Sequence, residues 1–168
     1  MENATHNKLD NIQSKIISAT ELKRLVAGWK VKSYQIVFTN GVFDLIHQGH
    51  IARIALAANE GNKLVVGINS DASVKRLKGD DRPLNDAQSR ALVLASMQYV
   101  DAVCIFEEDT PLELIKAVQP DVLVKGGDYT PETVVGNELV NAYGGKTVII
   151  PLVAGFSTTG TIQKINNQ

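Results

Sequence analysis

Cysteine is almost missing from this chain of 168 residues: its one thiol, Cys104, lies inside the apolar run A-V-C-I-F. A single cysteine forms no internal disulfide, so the fold must rest on its core, and the chain suits a reducing compartment. An excess of charge of either sign is missing too. Lys and Arg number 17 against 18 Asp and Glu, for a formal net charge of -1. That balance excludes a general pull toward nucleic acid or an anionic membrane, so any anion binding must be local. Neither a basic stripe nor an exposed aromatic platform marks a nucleic-acid binder. No run approaches the roughly 20 apolar residues of a membrane span. The opening M-E-N-A-T-H-N-K-L-D-N-I-Q-S-K has no apolar core of a signal peptide. A soluble cytoplasmic protein is the expectation. Internal repeats, low-complexity linkers and a dedicated carboxylate cluster for a metal are absent as well. Both familiar phosphate fingerprints are missing, G-x-x-x-x-G-K-[ST] and G-x-G-x-x-G.

What is present is an ordinary globular composition, 44% hydrophobic and 21% charged, in a chain long enough to bury one core. Residues 1–17 read as a polar leader and 18–168 as one domain. Ser18 three residues before Glu21 is a capping-box pattern, and it predicts a helix through Leu22, Leu25 and Val26 that ends near Gly28. Apolar strands and helical segments then alternate. Strands are predicted over 34–39, 63–69, 101–106, 121–125 and 146–150. Helices are predicted over 49–60, over 85–97 with Asn85 or Asp86 as cap, after Thr110 as N-cap with Pro111 at the first position, and over 136–143. A last short helix is expected after Ser157. Strands that are apolar throughout and spaced by helices indicate an α/β fold, a doubly wound parallel sheet of five strands with helices on both faces. Ligands of such sheets sit beyond the carboxyl ends of the strands, where strand order reverses. That directs attention to the loops at 39–50, 69–85, 106–110, 125–135 and 151–158.

The first loop reads T-N-G-V-F-D-L-I-H-Q-G-H, Thr39 to His50. His47 and His50 could be metal ligands with Asp44, but zinc needs at least three protein ligands and no further ligand group lies nearby. Helix physics offers a better reading. The first turn of a helix has unpaired N–H groups and partial positive charge. Gly49 keeps side chains out of a ligand's way, and positions i and i+3 share one side of the helix start. Both imidazoles can therefore point at one phosphate and donate to an oxygen that gains charge in a transition state.

H-Q-G-H after T-N-G-V-F-D resembles the H-x-G-H signature of the nucleotidyltransferase superfamily, and S-T-T at 157–159 resembles its second signature. The stretches N-S-D-A-S-V-K-R-L-K-G-D-D-R-P-L-N (69–85), F-E-E-D-T-P (106–111) and L-V-K-G-G-D-Y (123–129) are similar to the heptose 1-phosphate adenylyltransferases, enzymes of lipopolysaccharide inner-core synthesis. The resemblance covers about residues 34–165. It implies a Rossmann-like sheet and a reaction of ATP with D-glycero-β-D-manno-heptose 1-phosphate to give ADP-heptose and pyrophosphate. It also implies Mg2+ held mainly by the ATP phosphates, a homodimer, and the stand-alone form of an activity that many bacteria fuse to a sugar kinase.

The resemblance and the local physics together give the site. His47, His50 and Lys75 are the catalytic candidates, with the histidines on the triphosphate. Thr39, Asn40, Gly41, Phe43 and Gly49 would shape the nucleotide floor; Asp44 orients the loop or is a structural cap. Lys125, Gly127 and Asp128 would approach base and ribose, unless K-G-G-D is a plain turn. Ser157, Thr158 and Thr159 would reach the β- and γ-phosphates, or only cap a helix. Lys78, Arg82 and Arg90 would hold the substrate phosphate; the plainer reading is a solvated basic loop at 75–82 and an arginine on a wet helix face. No metal ligand is named. Two other functions compete: a cytidylyltransferase for glycerol 3-phosphate or a similar small phosphate, and a nucleotide-binding regulatory module without turnover.

Overall fold

The computed structural model describes residues 7–127 and 129–151. Five strands, β1 (Ile36–Gly41), β2 (Lys63–Asn69), β3 (Ala102–Phe106), β4 (Val122–Gly126) and β5 (Lys146–Ile150), form one sheet. Their order is β3-β2-β1-β4-β5 and every pairing is parallel. Alternate residues of each strand feed two cores. Val37, Val66, Val103 and Val124 face one, while Ile36, Phe38, Val65 and Cys104 face the other. Burial on both faces is why these strands carry no polar alternation. Helices α3 (Gln48–Ala58) and α5 (Ala87–Ala95) cover the first face through Ile54, Ala57, Ala91 and Leu94. Helices α2 (Ala19–Val31), α6 (Leu112–Val118) and α7 (Asn137–Ala142) cover the second through Leu22, Val26, Leu114, Ile115 and Val140. β1 lies between β2 and β4, so the chain reverses its direction of travel across the sheet there. No helix among the described residues is long and apolar enough to cross a membrane.

Several boundaries differ from the sequence expectation. The Ser18–Glu21 capping box is formed, but α2 runs past Gly28 to Val31 because Val26 and Trp29 still find apolar partners. Asp86 rather than Asn85 caps α5, accepting from the backbone N–H of Ser89 at 2.8 Å. Pro111, not Thr110, is the cap of α6. The basic stretch expected as a loop is largely helical. Helix α4 (Asp71–Lys78) starts at a Ser70 cap and carries Lys75, Arg76 and Lys78 in its last turn. The polar leader is structured too: α1 (Lys8–Gln13) precedes a parallel bridge of Ile16 with Val103 at the β3 edge, and Ile12 and Ile16 pack on the first core. The expected helix after Ser157 lies outside the described residues.

Candidate active site

The carboxyl ends of β1 and β4 are neighbours at the reversal point, and the chain leaves β1 through a tight turn into α3. Phe43 takes up this turn with a left-handed backbone, φ 51°, which costs a bulky residue energy and persists where the surroundings fix it. Here its ring is buried against His50, with centroids 5.3 Å apart. His47 is the N-cap residue of α3 and His50 lies in its first turn. The two imidazoles stand 3.9 Å apart, tilted by 32°, and the His47 backbone N–H donates to His50 Nδ1 at 3.4 Å.

One further turn along α3 stands Arg53. Its guanidinium sits 5.0 Å from the centre of the Phe43 ring. Together with Asn40, His50, Lys78, Arg82, Lys125, Gly126 and Tyr129 it lines a cavity of about 290 Å³. A second cavity of about 250 Å³ shares Asn40, Gly41, Val42, Lys125 and Tyr129 with the first and adds Asn69, Asp109, Pro111 and Val134. The two form one cleft with a polar half and a more apolar half. A larger hollow of about 640 Å³ at the opposite end of the sheet, lined by Lys30, Tyr34, Asp121 and Lys146, is different in kind. Its lysines are already engaged, Lys30 by the Gln119 carbonyl and Lys146 by Glu60.

The polar half is electropositive. Four permanent cations, Arg53, Lys78, Arg82 and Lys125, meet one carboxylate, Asp44. Asp44 accepts from Arg82 Nε at 2.7 Å and from the backbone N–H groups of Leu84 and Asn85 at 2.9 Å. Burial pushes the Asp44 carboxyl up, but the Asn85 and Leu84 N–H groups and Arg82 outweigh it and hold it below its usual range. The histidines move the other way. Burial first, then the charges of His47 and Arg53, outweigh the Leu45 carbonyl and push His50 down to about 4. His47 is lowered by burial and by Arg53. Lys125 is lowered by burial and Arg53, and its Nζ lies 3.4 Å from Asn40 Oδ1. Neutral imidazoles each retain one N–H donor and one acceptor. The site therefore combines neutral donors at a helix start with a bed of fixed positive charge.

A family model described as cytidylyltransferase-like matches residues 38–161, which spans every element of this cleft. The chain belongs to the cytidylyltransferase-like family. It is accordingly a nucleotidyltransferase enzyme. Among family relatives, the bifunctional protein HldE of Mesorhizobium japonicum is 54% identical over 150 residues, 89% of this chain and 30% of its own length. That of Trichlorobacter lovleyi is 53% identical over 152 residues, 90% and 31%. The chain thus spans about three tenths of the length of these curated relatives. A solved lipopolysaccharide core biosynthesis protein from Thermoplasma volcanium aligns with TM-score 0.57 and 28% identity, covering 71% of this chain and 97% of its own. Pantoate-beta-alanine ligase from Francisella tularensis shares the fold, with TM-score 0.61 at 17% identity over 91% of this chain and 79% of its own.

Within this family site the expected residues divide. His50, Asn40, Gly41, Phe43, Lys78, Arg82 and Lys125 line the cleft, and His47 stacks on His50. Gly49 lies in the first turn of α3. Thr39 is buried in the middle of the sheet, paired with Val66 and Val124, and does not line the cavities. Lys75 is exposed on α4 and does not line the cavities; Lys78, one turn later, does. Gly126 rather than Gly127 borders the cleft, and Gly127 instead donates its N–H to the Ile150 carbonyl. Arg90 needs correction. It neither contacts the cleft nor lies on a wet face, because its side chain is fully buried. Nε donates to the Asn85 carbonyl, Nη1 to Val42, and Nη2 to Asn69 and to the Asp71 carboxylate. Each guanidinium nitrogen is committed within the protein, and four of the five N–H donors are used. Asp128, Ser157, Thr158 and Thr159 lie outside the described residues. In the polar half, Arg53 and Tyr129 are cleft residues that the sequence reading missed, and in the more apolar half so are Asn69, Asp109, Pro111 and Val134. For Arg53 a signal existed: it continues the i, i+3 spacing of His47 and His50 by one more step.

Proposed function

We propose that this nucleotidyltransferase joins ATP and D-glycero-β-D-manno-heptose 1-phosphate to give ADP-heptose and pyrophosphate, a product for the lipopolysaccharide inner core. The observation that carries the reading is the cleft itself: neutral His47 and His50 at a helix start, facing a surplus of fixed cations at the reversal point of the sheet. The likeness of segments 69–85, 106–111 and 123–129 to heptose 1-phosphate adenylyltransferases supports the choice of sugar and nucleotide. So does the identity above 50% to HldE proteins.

In this reading an oxygen of the sugar phosphate attacks the α-phosphorus of ATP in line. A new P–O bond forms, the bond from the α-phosphorus to the bridging oxygen breaks, and pyrophosphate leaves with that oxygen. No covalent intermediate with the enzyme forms, so catalysis consists of positioning and charge stabilisation. The two imidazole N–H groups donate to the α-phosphate as its charge rises, and the α3 start adds backbone donors. Lys78, Arg82 and Lys125 align the anionic groups, with Lys78 in the part that the sequence assigned to Lys75. The more apolar half, with Val134, Pro111 and Tyr129, suits a nucleobase or sugar face.

Magnesium travels with a triphosphate, but the described residues offer it little. None of them form a group of three metal-binding side chains, and Asp44, the carboxylate of the polar half, is fully engaged. Phosphate oxygens and water would be its ligands, and no step here depends on it.

The test offers four nucleoside triphosphates against heptose 1-phosphate and glycerol 3-phosphate and reads pyrophosphate release. Release with ATP and heptose 1-phosphate is expected. Release only with CTP and glycerol 3-phosphate would replace this reading by the cytidylyltransferase. Nucleotide binding without release from any pair would make the chain a regulatory module.

A further inference from the structure

Arg53 is an anomaly by the standards of the rest of the molecule. Its Nε is buried with no acceptor, and among the described residues no carboxylate or carbonyl takes a hydrogen bond from its guanidinium. The residue as a whole is half-buried and lines the cleft, with Nε its desolvated atom, and a partly desolvated cation without a counter-charge is costly unless something else supplies one. The backbone has nevertheless been shaped to admit it. A Cβ at Gly126, the last residue of β4, would collide with Arg53 Cδ and lie 3.0 Å from Nη1, so glycine there leaves room for the side chain in this position. The Phe43 face then supports the planar head from one side.

The groups around it give no counter-charge. On its own helix are His47 and His50, which its charge helps to keep neutral; on β4 is Lys125, and on α4 is Lys78. β1 contributes the neutral Asn40, and the β1–α3 loop contributes Asp44, whose carboxylate is already taken by Arg82 and two backbone N–H groups.

We propose that Arg53 is a phosphate-binding residue of this cleft, a fixed guanidinium that takes an oxygen of the bound triphosphate or of the acceptor sugar phosphate. The assignment to those two ligands rests on the nucleotidyl-transfer reading above; the assignment to a phosphate oxyanion rests on the geometry. A guanidinium offers planar paired donors matched to phosphate, which an ammonium at the same place does not. Because its charge does not titrate near neutral pH, Arg53 can supply attraction while the neighbouring imidazoles stay neutral donors.

The test uses Arg53→Met and Arg53→Lys in the full chain, with inorganic pyrophosphate as probe in calorimetry, independently of turnover. Arg53→Met is expected to weaken pyrophosphate binding about tenfold or more and Arg53→Lys less, with the thermal midpoint of neither variant below that of the parent. Proton NMR of the histidines should show both imidazoles titrating at higher pH in Arg53→Met. A larger KM for ATP would assign the contact to the triphosphate, and a larger KM for the sugar phosphate to the acceptor. Unchanged pyrophosphate binding and unchanged histidine titration in Arg53→Met would overturn the proposal. So would a fall in the thermal midpoint of both variants with equal loss of binding, which is the mark of a packing role. If no substrate pair is turned over but pyrophosphate binding still depends on Arg53, the reaction assignment fails and the phosphate site stands.

Discussion

Arg90 and Arg53 are carried by helices that cover the same face of the sheet, yet the molecule treats them in opposite ways. Arg90 ties together the ends of β1 and β2 and the start of α5 by donating to the carbonyls of Val42, Asn69 and Asn85, with Asp71 closing the set. Asp44 repeats the pattern with reversed charge in the same corner, holding Arg82, Leu84 and Asn85. Around Arg53, by contrast, stand imidazoles, a lysine and a phenyl ring, and no described carboxylate or carbonyl takes a hydrogen bond from its guanidinium. Arg90 and Asp44 act as frame because their hydrogen bonds are spent inside the protein. The second corner keeps the Arg53 guanidinium open toward the cleft, which is the basis of the phosphate-site proposal.

The largest effect that sharpens this contrast is catalytic. His47→Ala and His50→Ala should each lower turnover on the order of a hundredfold or more, while ATP affinity falls far less; steady-state kinetics beside equilibrium binding checks this. Near-normal turnover in either variant would move that histidine to the frame.

Arg90→Met attacks the opposite corner. It leaves three carbonyls near the cleft without their donor and should cost about 3 kcal/mol or more of folding stability, read by urea denaturation. A loss below about 1 kcal/mol would mean that water replaces the guanidinium without penalty.

The pH dependence of stability follows from the second corner. The unfolded chain binds a proton at His50 near its ordinary value of 6.5, while the folded chain resists protonation down to about 4. Stability should thus be complete above about pH 6.5 and decline as pH falls toward about 4, with His47 acting in the same direction. Urea midpoints across that window measure the decline, and His50→Gln should flatten it. A curve of equal slope in the variant would trace the decline to other groups.

The smallest contrast is between two lysines one turn apart on α4. Lys78→Ala should raise KM for the phosphate substrates several-fold, whereas Lys75→Ala should leave it close to the parent value. The reverse order would return the catalytic candidacy to Lys75.

Much of this architecture was readable in the residues. The strand cores 63–69 and 146–150 stand where their apolar runs predict, and the Ser18–Glu21 box forms because capping is a local hydrogen-bond pattern. The histidine turn was readable for the same reason: its geometry depends on residues three apart on one helix. Long-range pairing was not readable. Nothing near Arg90 in sequence reveals that Val42 and Asn69 carbonyls converge on it, so a basic side chain on a short helix reads as a phosphate ligand or a wet surface. Arg53 was missed for the converse reason. Its immediate neighbours in sequence are apolar and mask the i, i+3 continuation from His47 and His50, while the closeness of β4 and Gly126 shows only in the fold. The α6 cap slipped by one residue because Thr110 and Pro111 are both acceptable starts, and packing of Leu114 and Ile115 chose between them.

The bridge between the leader and β3 bears on solubility. β3 is a border strand, and a bare border offers its N–H and C=O groups to any other extended chain. Here the Val103 N–H donates to the Lys15 carbonyl, and the Val103 carbonyl accepts from the Ile17 N–H. Residues 15–17 occupy a docking rail that would otherwise be open to a neighbouring molecule. A chain trimmed to begin at Ser18 would keep every residue of the cleft and yet expose that rail, so its first failure would be self-association rather than loss of chemistry.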